Sequence, residues 1–333
     1  MWKGGVLLNR EVKVVIGYGR SEEDRTAIKS LLREFENKRR DVRFILASNK
    51  EEALQEIGDA HVYFGFRFGP ELLEKAHELL WVHFSSAGVN HALYPALLKS
   101  PLLLSSSKGL HPPYISEHIL AGIFYFYADF DHIVALQKQK KWDKTGIVRE
   151  KRLLQGKQVL ILGLGHIGKA AAQRLCHLGA VVHGIKKHVD ETYADGVTIH
   201  SMEELFKLLP QADIVIDILP LTDETRGLMG KDFFKSMRDS ALFINVGRGE
   251  HVVEEALLAE APRFRGIVLD ATSREPLTED SPLWDLPNIL LTQHTSGDFA
   301  DYTEKATLFF LENLERFLDG EEPEGLIDKN EGY

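Results

Sequence analysis

A guanidinium, a carboxylate and an imidazole follow strand-like segments in the second half of the chain: Arg248 in INVGRG, Glu275 in SREP and His294 in TQHTSG. Taken singly, each has an ordinary reading. Arg248 could be a surface cation, Glu275 a solvated loop carboxylate, and His294, one of 14 histidines, a structural side chain. Together they match the needs of one reaction. Hydride reduction of a 2-keto acid puts negative charge on the former carbonyl oxygen, so it requires a proton donor near neutral pH and a cation to polarise the carbonyl. His294 suits the first task and Arg248 the second. Glu275 can hold the imidazole in one orientation and favour its protonated form, because an opposite charge within about 4–6 Å raises a histidine pKa.

A hydride donor needs its own site, and the run KQVLILGLGHIG at 157–168 has the pattern for one. Residues 159–163 read as a buried parallel strand, after which Gly163, Gly165 and Gly168 fall at the spacing G-x-G-x-x-G. Gly163 permits the tight turn off the strand, and Gly165 lets backbone approach a pyrophosphate. Gly168 lets the helix expected at 169–178 pack closely on the sheet, its N-terminus aimed at phosphate charge. The spacing also suits a turn with no ligand, but a strand before it and a helix after it point to a dinucleotide. Where an NAD site would carry a carboxylate for the ribose hydroxyls, the chain has Lys186 followed by Lys187. Ammonium groups attract a 2′-phosphate that a carboxylate would repel, so NADP(H) is favoured over NAD(H). The alternative is a solvated lysine pair at a strand end.

The elements that must position these groups alternate along the chain as in open α/β sheets. Residues 12–16, 42–46, 60–65, 81–84 and 102–104 read as strands, with helices at 22–37, 51–57 and 70–79 between them. The strand at 81–84 runs into SSAGVN at 85–90, a small-residue loop at a carboxyl end of the sheet, where ligands bind. Pro112 and Pro113 read as a stiff hinge before one long aromatic helix from 114 to about 140. Further strands are expected at 181–185, 214–219, 241–246, 266–269 and 289–292, then an amphipathic helix at 300–318 bearing Ala306, Phe309, Phe310, Leu314 and Phe317. The expected fold class is α/β, with two domains of parallel sheet: a flavodoxin-like substrate domain from 1–112 plus 298–333, and a Rossmann NAD(P)-binding domain over 113–297. A cleft between them would close on binding, with hinges near the two prolines and near 297–300.

With 333 residues, 44% hydrophobic and 27% charged, the chain has the composition of a globular protein large enough for two domains. A net charge of −10 and the lack of a basic stripe argue against a nucleic-acid partner. The densest basic run, 138–144, contains Trp142 and Asp143 and reads as a solvated helix end. The single cysteine, Cys176, forms no internal disulfide and is expected to pack within its helix, which fits a reducing compartment. With no signal-peptide pattern and no run of about 18 apolar residues, a cytoplasmic protein without a membrane partner is expected. One cysteine and no H-E-x-x-H argue against a zinc alcohol dehydrogenase and against any metal. Phe124, Tyr125, Phe126, Tyr127 and Phe130 carry more apolar surface than one helix face buries, so a homodimer is expected.

The ordered motifs SSAGVN, GLHPPYISEH, GLGHIGKAAAQRL, LPLTDETRGL, FINVGRGEHVVEEAL, LDATSREPL and SPLWDLPNILLTQHTSG span nearly the whole chain. In them the sequence resembles the D-isomer-specific 2-hydroxyacid dehydrogenases, and among these the glyoxylate/hydroxypyruvate reductases. The resemblance implies a NAD(P)-dependent 2-keto acid reductase with Arg248, Glu275 and His294 as its catalytic trio. It implies that backbone N–H groups of Ala87, Gly88 and Val89 receive the substrate carboxylate alongside Arg248. It also implies that His166 and Ile167 face the pyrophosphate, that Asp270 faces the nicotinamide carboxamide, and that Leu219, Pro220, Val246, Gly247 and Gly297 complete the cofactor surface. Two positions depart from the family pattern: Gln293 replaces the usual proline before the histidine, and Ala271-Thr272 replaces an aliphatic-aromatic pair. The first bears on how His294 is presented. Two other functions use the same parts: a nicotinamide-binding sensor or corepressor, and oxidation of a small anion such as formate or phosphite.

Overall fold

The computed structural model describes residues 11–17, 21–86, 88–89, 92–146, 151–187 and 196–329. The chain divides into two compact units, one formed by Met1–His111 with Phe299–Tyr333 and the other by Pro112–Asp298.

The first unit is built on a parallel sheet of β1 (Val12–Ile16), β2 (Val42–Leu46), β3 (Val62–Gly65), β4 (Trp81–Phe84) and β5 (Leu103–Ser106). The strand order β2-β1-β3-β4-β5 is that of a flavodoxin-like fold. Its strands are largely apolar because both faces of the sheet are covered. Val12, Val14 and Ile16 meet Ile28, Leu32, Phe310 and Leu314 from the helices Glu22–Lys38 and Tyr302–Leu318. Val15, Tyr63 and Val82 meet Ala53, Ile57, Leu72 and Leu97 on the other face. The helix Glu22–Lys38 starts where Ser21 accepts a hydrogen bond from the Asp24 N–H, with three acids in its first turn to complement its dipole. On the first of these faces the Phe310 ring stacks on Phe64 at 4.4 Å.

Within this sheet, His83 is fully buried between the hydroxyls of Ser105 (2.7 Å) and Ser107 (3.1 Å). Burial pulls its pKa down to about 3, so the imidazole is neutral at ordinary pH.

The second unit holds β6 (Gln158–Leu162), β7 (Val181–Ile185), β8 (Val197–His200), β9 (Ile214–Asp217), β10 (Leu242–Asn245), β11 (Gly266–Leu269) and β12 (Ile289–Leu291). Their order, β12-β11-β10-β9-β6-β7-β8, is the doubly wound order extended by one strand. All are parallel, and the chain reverses direction of winding between β6 and β9. β8 has no counterpart in the pattern read above, because VTIH at a sheet edge is only half-buried and lacks an apolar run.

The long aromatic helix is in fact two, Pro112–Tyr127 and Phe130–Lys138, bent by 64°. Asp129 adopts φ 65° between them, and its buried carboxylate takes the Arg265 guanidinium at 2.7 Å. Arg265 also donates to the Phe126 carbonyl, which a continuous helix would use internally. Pro112 and Pro113 open the first of these helices instead of interrupting structure, since the first turn needs no proline N–H. Phe126 and Tyr127 belong to the core, whereas Phe124 and Phe130 remain exposed. Cys176 is half-buried and forms no disulfide. Among the described residues no single helix is long and apolar enough to cross a membrane.

Candidate active site

Gly163 leaves β6 at φ 101°, and a Cβ there would lie 2.7 Å from the Ile218 carbonyl oxygen just beyond β9. The turn therefore sits where the strand order reverses, the usual crevice for a ligand in such sheets. The helix that follows is His166–His177, so it begins three residues before the expected start. His166 and Ile167 thus supply first-turn amides, which have no partner within a helix. Gly165 caps this end without a side-chain hydrogen bond, and no acid occupies the first turn. A Cβ on Gly165 would meet nothing within 4 Å, whereas one on Gly168 would overlap the Gly163 carbonyl oxygen. Open space over a bare helix N-terminus fits a pyrophosphate.

Lys186 follows β7 directly and is half-buried, its N–H donating to the His200 carbonyl at 3.1 Å, and Lys187 beside it is exposed. Leu219 and Pro220 follow β9, with the Leu219 N–H held by Asp217 at 3.1 Å and the Pro220 carbonyl by Thr225 at 2.7 Å. Val246 is buried, and the Gly247 N–H is held by the Asn245 side chain at 2.9 Å.

The trio is linked through two loops. Arg248 begins the short turn Gly249–His251, and Nη1 donates to the Gly247 carbonyl at 2.9 Å. Gly249 abuts the backbone of Thr272 so closely that a Cβ there would overlap it. The Thr272 N–H donates to Glu275 Oε1 at 3.1 Å, and Glu275 Oε2 lies 2.9 Å from His294 Nδ1. Both members of this pair are about half exposed, so it orients the ring more than it stabilises the fold. His294 itself has φ 54°, a left-handed conformation that a branched residue would resist. Its N–H donates to the Asp270 carbonyl at 2.8 Å. Gln293 precedes it in an exposed position.

Gly88 and Val89 belong to the first unit. The Ser86 hydroxyl donates to the Gly88 carbonyl at 3.0 Å, and the Val89 side chain is buried. Ala87 lies outside the described residues.

Residues 120–296 match the family model described as "D-isomer specific 2-hydroxyacid dehydrogenase, NAD binding domain". The chain belongs to the D-isomer specific 2-hydroxyacid dehydrogenase family. It is accordingly an NAD(P)-dependent oxidoreductase. It is 28% identical over 273 residues to glyoxylate/hydroxypyruvate reductase A of Yersinia enterocolitica, covering 79% of this chain and 84% of that one. A family protein from Klebsiella pneumoniae 342 superposes with a TM-score of 0.76 at 30% identity, covering 96% and 98% of the two chains. A family dehydrogenase from Xanthobacter autotrophicus Py2, solved in complex with NADPH and MES, superposes with a TM-score of 0.77 at 26% identity, covering 97% and 100%.

In this family member the Asp270 carboxylate, 3% exposed, does more than follow β11. Oδ1 accepts from Thr292 Oγ1 at 2.6 Å, Thr295 N at 2.9 Å and Ser296 N at 3.2 Å, just before the half-buried Gly297. Burial alone would raise its pKa, but the hydrogen bonds from Ser296, Thr292 and Thr295 outweigh it and hold the carboxyl below the ordinary range. Asp270 thereby ties down the loop on both sides of His294. Thr292 and Ser296 carry no signal in the sequence, since a hydroxyl in a polar loop stands out only once its acceptor is known. A second buried carboxylate, Asp217, ends β9 and pairs with His251. An acid closing the otherwise apolar run IVID was the one available clue to it.

Proposed function

We propose that this enzyme interconverts a small 2-keto acid and its D-2-hydroxy acid, with NADP(H) as the preferred cofactor. The observation that carries the reading is the hydrogen bond from His294 Nδ1 to Glu275, on a loop that abuts the Arg248 turn. With Nδ1 held, Nε2 is the ring nitrogen that gives its proton to the substrate oxygen as the carbonyl carbon is reduced, and takes it back in the reverse direction. Arg248 binds the keto acid and polarises the carbonyl, stabilising charge as it develops. Backbone N–H groups of Ala87, Gly88 and Val89 receive the carboxylate. The nicotinamide, when bound, supplies or accepts the hydride.

The glycine turn, His166 and Ile167 would hold the pyrophosphate, Lys186 and Lys187 the 2′-phosphate, and Leu219, Pro220, Val246, Gly247, Asp270 and Gly297 the nicotinamide side. In this reading residues 1–112 with 298–333 bind substrate and residues 113–297 bind cofactor. Glyoxylate and hydroxypyruvate are the first substrates to test, because relatives carry those names. The exposed Phe124 and Phe130 favour a homodimer, and the lone cysteine favours the cytoplasm.

The test is NADPH and NADH oxidation against a panel of 2-keto acids, with formate and phosphite assayed in the oxidative direction. Turnover of at least one short keto acid, with a lower KM for NADPH, is expected. If every keto acid is refused while formate or phosphite is oxidised, the proposal is wrong.

A further inference from the structure

Beneath the Arg248 turn lies a pair of ionisable groups that the proposed reaction does not use. Asp217 and His251 are both fully buried, with Nδ1 and Oδ2 2.6 Å apart, so one proton lies between them. The other Asp217 oxygen accepts the Leu219 N–H at 3.1 Å. His251 closes the turn: its N–H donates to the Arg248 carbonyl at 3.2 Å, and its own carbonyl accepts from Met229 at 2.9 Å. Gly247 covers the pair, since a Cβ there would lie 2.9 Å from Asp217 Oδ2 and 3.3 Å from His251 Nδ1. His251 Nε2 is buried with no hydrogen-bond partner.

Such a pair is a poor way to gain stability. Burying an acid and an imidazole costs desolvation that apolar side chains of the same volume avoid, and an unpartnered ring nitrogen adds to the cost. Burial pushes the Asp217 carboxyl above its ordinary range, against the pull of His251, the Leu219 N–H and the Arg248 charge. What the pair provides is geometry. It joins the end of β9 to His251 at the close of the Arg248 turn, directly under Gly247, whose missing side chain leaves room for the pair.

We infer that Asp217 and His251 are positioning residues: their buried hydrogen bond holds the turn Gly247, Arg248, Gly249 at the height from which Arg248 meets the keto acid. The inference rests on the reading of Arg248 as the keto-acid ligand.

The test compares His251→Phe, His251→Asn and Arg248→Ala in the full-length enzyme, reading keto-acid KM, kcat, and NADPH Kd by fluorescence titration. Phenylalanine fills the space without donating to Asp217, and keto-acid KM is expected to rise about ten-fold, the worth of one hydrogen bond to a charged group. NADPH Kd should stay at the wild-type value. Asparagine, whose amide can occupy the place of Nδ1–H, should recover most of the lost KM. Wild-type KM in His251→Phe overturns the inference, as does a parallel rise in NADPH Kd, which marks a general loss of structure. If His251→Phe does not fold, Asp217→Leu, which can neither accept from Nδ1 nor donate to it, makes the same comparison: raised keto-acid KM supports the role and an unchanged one overturns it. Arg248→Ala separates the two levels. If it leaves KM untouched, the reading of Arg248 fails and takes this inference with it; if it weakens binding while His251→Phe does not, only the positioning role fails.

Discussion

Gly168→Ala should damage both the fold and the cofactor site. An added Cβ would overlap the Gly163 carbonyl oxygen, inside the 3.0 Å that real Cβ atoms respect. The carbonyl cannot retreat, because Gly163 itself sits at φ 101° against the Ile218 backbone. The helix His166–His177 must therefore withdraw by about 1 Å from a close-packed sheet, an overpacking cost of about 1–3 kcal/mol. At about 2–4 °C per kcal/mol for a unit of this size, the melting temperature should fall by several degrees. The same displacement stretches amide–phosphate hydrogen bonds from about 2.9 Å toward or beyond their useful limit. Loss of one such charge-assisted bond weakens NADPH about ten-fold or more. Gly165→Ala is the control, since its Cβ meets nothing within 4 Å. It should melt like wild type yet bind NADPH less well, because the methyl group enters the space left for the pyrophosphate. Thermal melts and NADPH titrations of the two variants decide the matter. Wild-type melting and affinity in Gly168→Ala, or equal destabilisation by both substitutions, would mean that the Gly163–Gly168 contact does not set the turn.

Lys186→Asp should shift cofactor preference toward NADH with little change in keto-acid KM, NADPH affinity falling about ten-fold or more for each lysine withdrawn from the 2′-phosphate; equal use of both cofactors by the wild type at low salt contradicts this. His294→Ala should lower kcat by about 10²–10⁴-fold, the range for a lost general acid, and near wild-type turnover removes it from the mechanism. Asp270→Asn should destabilise the enzyme at neutral pH. Because the folded Asp270 pKa is depressed, its contribution is present above the ordinary carboxylate pKa and lost as pH falls through the lower folded value, so urea melts of wild type and variant should converge in acid. His83 gives a window nearer neutrality: with its pKa near 3, folding loses up to about 1.4 kcal/mol per pH unit as pH falls from about 6.5. His83→Gln should flatten that slope between pH 7 and 5, and an unchanged slope would mean that the imidazole is protonated without unfolding.

The elements that could be read from residue order are those whose signal is local. β1, β2, β4, β7 and β11 stand where their largely apolar segments lie, because burial within a covered parallel sheet favours short apolar stretches that residue order shows directly. The glycine turn was legible for a similar reason: the positive φ of Gly163 and the approach of Gly168 to the Gly163 carbonyl are both set within a few residues. Arg248, Glu275 and His294 could be named by type and by their place after strands. What the sequence did not contain was the partner of each group. The aromatic segment breaks because Arg265, far along the chain, captures Asp129 and the Phe126 carbonyl. β8 exists because an edge strand can borrow a ladder from β7 without an apolar run of its own. Asp270 anchors the His294 loop through Thr292, Thr295 and Ser296, and Asp217 meets His251 only when β9 and the Arg248 turn are brought side by side. Residue order determines backbone preference and apolar pattern, which act over a few residues. Tertiary structure decides which polar groups share a buried space, because hydrogen bonds between distant segments leave no period in the sequence.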